Sequence, residues 1–148
     1  MRSGREMLLE EINYPQFRAE ARELVESFPA NLYSSNIYYL RTYYKIDQSE
    51  PLPRHMAGLN PKSVTVIKDE GVGMEFGSNG GEWLMYAGKT RLDSEKLPFE
   101  LELCFGKLVK KAKAIPSDGR FEEVSAGVWF VFAPYRHNDP EYRGPGWQ

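Results

Sequence analysis

The spacing of apolar side chains changes along the chain, and each change predicts a different element. Over residues 6–28 the spacing follows the 3.6-residue period of a helix: Leu8, Leu9 and Ile12 form a short stripe, and Phe17, Ala21, Leu24, Val25 and Phe28 continue it. Pro15 interrupts that stripe. Its ring removes a backbone donor and clashes with the preceding turn, so the pattern predicts two helices, the second capped by Asn13 with Pro15 in its first turn. Glu20, Glu23, Glu26, Arg18 and Arg22 fill the other face, which reads as solvated, and Pro29 ends the element.

From residue 63 the period is two. Residues 63–68, 73–77 and 82–87 read as strands, separated by Asp69-Glu70-Gly71 and Ser78-Asn79-Gly80-Gly81. Gly-rich separators of this length supply the backbone conformations of hairpin turns, which predicts an antiparallel meander. Residues 97–115 carry two patterns at once. Phe99, Leu101, Leu103 and Phe105 alternate as in a strand, while Leu97, Leu101, Cys104, Phe105, Leu108, Ala112 and Ile115 keep helical spacing. Charge decides between them: Glu100 and Glu102 lie early and Lys107, Lys110, Lys111 and Lys113 late, the order a helix dipole favours. A helix over residues 98–114 is therefore expected, with a strand over 99–105 as the alternative. Residues 116–119 read as a turn and 124–133 as one buried strand.

Two segments are less regular. Within residues 33–46, Ser34, Ser35 or Asn36 would cap a helix over 37–46 with Ile37, Leu40 and Tyr44 inward, while a strand would put Tyr38, Leu40, Thr42, Tyr44 and Ile46 on one face; the helix is the preferred reading. Residues 48–62, with Pro51, Pro53, Gly58 and Pro61, read as a loop. The expected order is α(α)-βββ-α-β, an α+β single domain over residues 1–148, its mostly antiparallel sheet covered on one face by helices. Residues 1–5 and 134–148 are expected to be irregular termini. This order is similar to that of small secretion-chaperone folds, a likeness of element order with no shared motif.

Composition narrows the function classes. At 148 residues the chain has the length of one domain, and its 14% aromatic content supplies the apolar surface that a disordered chain lacks. A formal charge of -2 leaves no excess of cations to displace counterions, which argues against nucleic acid and anionic membrane as partners. The apolar run near the start, Met7-Leu8-Leu9, is too short for a secretion signal, and no uncharged stretch is long enough to span a bilayer. A single Cys forms no internal disulfide, so a cytoplasmic location is expected.

Motifs that would carry chemistry are sparse. Gly71-Val72-Gly73 lies between strands rather than before a helix, so it reads as hairpin geometry and not as a phosphate loop. Residues 64–68 echo the kinase strand with its Lys68, but the other kinase motifs are missing. Cys104 sits between Leu103 and Phe105, an apolar setting that favours a structural thiol over a nucleophile. His137, Asp139 and Glu141 alternate as metal ligands would, yet they lie in polar coil and lack a fourth ligand. The Lys107 to Lys113 cluster is accounted for by the end of its helix. No cofactor is implied and no metal site is assigned.

The unusual feature is five Tyr within twelve residues, Tyr33, Tyr38, Tyr39, Tyr43 and Tyr44, with Arg41 and Lys45 interleaved. One helix cannot bury so many phenols, and Tyr is enriched where an apolar body and a polar tip are both used, as at interfaces. Tyr38, Tyr39, Tyr43, Arg41 and Lys45 are accordingly the candidate binding residues. The expected function is a non-enzymatic protein-binding or adaptor module whose Tyr-rich surface holds a protein partner or a second copy. The alternative is a small enzyme or small-molecule binder with an aromatic pocket, drawing on Arg54, His55, Glu75, Tyr86 and Asp93.

Overall fold

A computed structural model describes residues 4–29, 36–41, 52–78, 81–89, 92–93, 95–114 and 119–134. Helices α1 (Gly4–Glu11) and α2 (Tyr14–Glu26) are followed by strand β1 (Ile37–Arg41), a short helix α3 (Arg54–Leu59), and strands β2 (Ser63–Ile67), β3 (Gly71–Ser78) and β4 (Gly81–Gly88). Helix α4 (Phe99–Ala114) then leads into strands β5 (Arg120–Ser125) and β6 (Val128–Pro134). The strands form one antiparallel sheet in the order β1-β2-β3-β4-β6-β5. The chain is an α+β domain, as the sequence pattern predicts. No helix among the described residues is long and apolar enough to cross a membrane.

The helix break at Pro15 forms as expected: Asn13 is extended and its Oδ1 accepts the Gln16 amide hydrogen at 3.1 Å. The three-strand meander and the helix over residues 99–114 form too.

Other expectations need correction. Residues 37–41 form an edge strand, not a helix, because alternation places both Tyr38 and Leu40 in the core while β2 supplies backbone partners from Ile37↔Ile67 to Arg41↔Val64. Residues 54–59 form α3 inside the expected loop; the helix ends at Asn60, which adopts the left-handed conformation. The single strand expected over 124–133 is the end of one strand and most of another. Gly127, at φ +74, makes the turn from β5 to β6, a conformation that a residue with a Cβ adopts only under strain. α1 begins at Gly4 and β6 ends at Pro134. Residues 116–118 and 135–148 lie outside the described residues.

Helices cover both faces of the sheet, not one. The reason lies in the central strands: every residue of β2 is buried, and so are six consecutive residues of β6. Strand side chains alternate between faces, so such runs demand cover on each side. On one face Val64, Val66, Met74, Met85 and Phe130 pack with Leu8, Ile12, Phe17 and Ala21 of α1 and α2. On the other, Ile67, Leu84, Tyr86, Trp129 and Val131 pack with Leu101, Phe105, Val109 and Ala112 of α4.

Aromatic rings on the α4 face rest directly on backbone. A Cβ at Gly73 would lie 2.6 Å from Phe105 Cζ and 3.0 Å from Leu84 Cδ1, so only glycine lets Phe105 settle there. Tyr86 is fully buried edge-on to Phe105, at 6.4 Å between ring centroids, and its hydroxyl has no hydrogen-bond partner among the described residues. Burial pushes the phenol well above the usual Tyr range, with the charge of Glu70 adding to the shift.

Two outcomes follow for equilibrium unfolding in urea. Gly73→Ala should destabilise by about 1–3 kcal/mol through overpacking. Tyr86→Phe should stabilise by about 1 kcal/mol, because it removes a buried hydroxyl that makes no bond. The pH dependence of Tyr86 has a definite sign. A folded-state pKa raised above the unfolded value of about 10 gives stability that is present below that pH and lost as pH rises above it. The gap between Tyr86→Phe and wild type should therefore widen above about pH 10, and a gap independent of pH would contradict the assignment.

Candidate functional site

The strand conformation of residues 37–41 divides the Tyr cluster. Tyr38 turns into the core, edge-on to Phe28 with ring centroids 6.3 Å apart. Tyr39 points to the opposite face and stays 53% exposed. Arg41 closes the strand after an irregularity in register, and Tyr43 and Lys45 lie outside the described residues. Tyr38 and Tyr39 are thus on opposite faces of the sheet and do not share a platform.

Tyr39 instead joins α4. Its hydroxyl donates to the Cys104 sulfur, and both groups titrate higher than usual, chiefly through burial. A raised thiol pKa keeps Cys104 protonated, the opposite of what a nucleophile requires. At the start of β1, Asn36 Nδ2 donates to Glu100 Oε1 at 2.7 Å, and this bond holds the Glu100 carboxyl below the usual range.

On α4 beside Cys104, Leu103 is 63% exposed and Phe99, one turn earlier, 69%. Together with Tyr39 these are the large hydrophobics that remain exposed among the described residues. Lys107 continues the Phe99-Leu103 stripe at the four-residue spacing of a helix face. Its neighbours are engaged: Lys110 pairs with Glu102 at 3.6 Å across the gap left by Gly106, and Lys113 pairs with Asp93 at 3.7 Å and lies over the Phe121 ring. The Asp93 carboxyl sits below its usual range, first because it accepts the Glu95 amide hydrogen and then because of Lys113.

The alternative candidates divide differently. Arg54 and His55 do line a recess, with Glu11, Gln16 and Glu20, at the junction of the three N-terminal helices. Glu20, read from sequence as solvated, is 5% exposed. Its carboxylate accepts the His55 and Met56 amide hydrogens at 2.9 and 3.0 Å and the Gln16 side-chain amide at 3.2 Å. It thereby caps α3, whose own N-cap, Pro53, offers no side-chain hydrogen bond. His55 Nε2 accepts the Asn13 amide hydrogen at 2.9 Å. The groups best suited to acid–base work are therefore occupied in holding α3 to α2. Glu75 sits half-buried in β3 and Tyr86 in the core, both far in role from that recess.

A second recess of about 230 Å³ lies on the α2 face, where α2 crosses the ends of β3 and β4. Ala21, Val25 and Ala87 form its apolar floor beside the backbones of Gly71, Gly88 and Gly127, and Arg18, Arg22, Glu26, Glu70 and Lys89 form its rim. Its size follows from small side chains at facing positions on α2 and β4. Gly71 and Gly73 are strand residues here and are not followed by a helix, so they form no phosphate loop. Among the described residues no three His, Cys, Asp or Glu side chains converge on a metal position, and His137, Asp139 and Glu141 lie outside those residues.

The Glu20 network was invisible to pattern reading, since a Glu amid charged neighbours on a helix carries no mark of burial. Replacing it should be costly: Glu20→Ala strands two helix-end donors and should lower stability by about 2–4 kcal/mol, with Glu20→Gln intermediate. Chemical denaturation measures the loss, and hydrogen exchange should show early opening of α3. No protein-family model, curated protein or solved structure matches the chain.

Proposed function

We propose that the chain is a non-enzymatic protein-binding module that holds an apolar segment of a partner, flanked by acidic residues, against α4 and Tyr39. The observation that carries this reading is the exposure of Phe99 and Leu103, one turn apart on α4, with Tyr39 the other large hydrophobic left exposed among the described residues. Single exposed hydrophobics are common on any surface, whereas two large ones one turn apart on the same helix face favour an interface. Burying Phe99 and Leu103 fully contributes about 1.5–3 kcal/mol each, enough to anchor a transient complex. Lys107, one turn beyond Leu103 and without an ion pair among the described residues, selects a partner segment with a carboxylate at the matching position. The occupation of Glu20 and His55 in structural bonds favours binding over catalysis.

A photo-crosslinker in place of Leu103 in the intact protein, followed by mass spectrometry of the adducts, tests the proposal. The expected adduct maps to an apolar, acid-flanked segment of another protein, is lost in Phe99→Glu, and weakens with salt in wild type but less in Lys107→Gln. Adducts to a second copy of this chain, or adducts that survive Phe99→Glu, would overturn it.

A further inference from the structure

The recess on the α2 face is separate from the proposed partner surface and has its own chemistry. Ala21, Val25 and Ala87 make its floor apolar, and three cations face two carboxylates around its rim. Among the described lining side chains, cations outnumber carboxylates by one. Arg18 is already fixed: its Nη1 donates to Ser125 Oγ at 2.8 Å and to the Ala126 carbonyl at 3.3 Å, which holds the guanidinium at the mouth without rotamer freedom. Arg22, one helical turn further on, and the Lys89 ammonium make no ion pair or side-chain hydrogen bond among the described residues. Arg18 and Arg22, four residues apart, place two guanidinium groups on one face of α2 beside an apolar floor.

From this geometry we infer that the recess binds a small monocarboxylate with a compact apolar body. The body fills the space over Ala21 and Ala87, and the carboxylate meets Arg22 and Lys89 with Arg18 as a preset third donor. A single negative charge matches the surplus at the rim. A phosphate dianion would exceed it and would be repelled by Glu26 and Glu70. A neutral molecule of the same shape would leave the cations unanswered.

Amide chemical-shift titration of the full chain, with acetate, hexanoate and benzoate against hexanamide and benzamide, tests the inference. Hexanoate or benzoate should shift the Gly71, Gly88 and Gly127 amides saturably, acetate and the amides far less. Arg22→Gln, an exposed substitution that leaves the fold intact, should weaken that binding about tenfold, the loss expected for one charge-assisted hydrogen bond. Inorganic phosphate in place of the carboxylates should bind no better than acetate. The absence of saturable shifts with all three carboxylates, equal binding of acid and amide, or an Arg22→Gln protein that binds like wild type would each overturn it. Phe99→Glu should leave these titrations unchanged, so failure here and failure of the partner surface are read separately.

Discussion

The constraint on which the structure depends is the two-sided burial of β2, β4 and β6. Each is buried at nearly every position, so neither face of the sheet tolerates water, and a helical layer is required on each side. The backbone polar groups of these strands are satisfied by their antiparallel neighbours, and their side chains feed two separate cores. β5, at one edge, carries Arg120 paired with Glu122, and Glu123 accepts the Gly127 amide hydrogen at 3.0 Å. Those charges suit an edge exposed to solvent. The other edge, β1, is apolar and aromatic apart from its last residue, and it is this edge that brings Tyr39 to α4.

The two helical layers are fastened by different means. α4 is held by aromatic contact with backbone, as Phe105 over Gly73 shows, and by surface pairs such as Asn36 with Glu100 that add little stability in water. α2 is fastened through Glu20, a buried carboxylate that caps the start of a helix belonging to another part of the chain. Placing that charge in the interior is favourable only because three donors surround it. The same network draws His55 and Gln16 into structural roles, and so a recess lined by ionisable groups is a joint between helices. The recess with unengaged cations lies elsewhere, over Ala21 and Ala87, where small side chains leave room.

How much was legible in the sequence depended on whether a residue's neighbours in space were also its neighbours in the chain. Asn13 and Pro15 lie beside the helix they start, and the charge order in residues 100–113 lies within the helix it supports. Both were readable. For Tyr38 and Tyr39 the deciding partner was β2, more than twenty residues away, and local spacing alone permitted the wrong period. α3 needed Glu20 as its cap, and a short helix after Pro53 has no sequence mark of a cap supplied from 35 residues away. The β5 to β6 turn was a nearer miss: Gly127 marked it, but the apolar run on its far side masked the more polar strand before it.

The sequence by itself determined the class of the domain, its meander and its principal helices, because hydrophobic period and capping chemistry are local properties of the chain. It also determined that aromatic side chains would exceed what one core face accommodates. Tertiary structure alone decided which of them remain outside. Tyr38 is buried and Tyr39 exposed because β1 pairs with β2 in one register, which sends adjacent side chains to opposite faces. Phe99 and Leu103 face outward because Leu101 and Phe105 claim the sheet, and a helix offers only one stripe to a core.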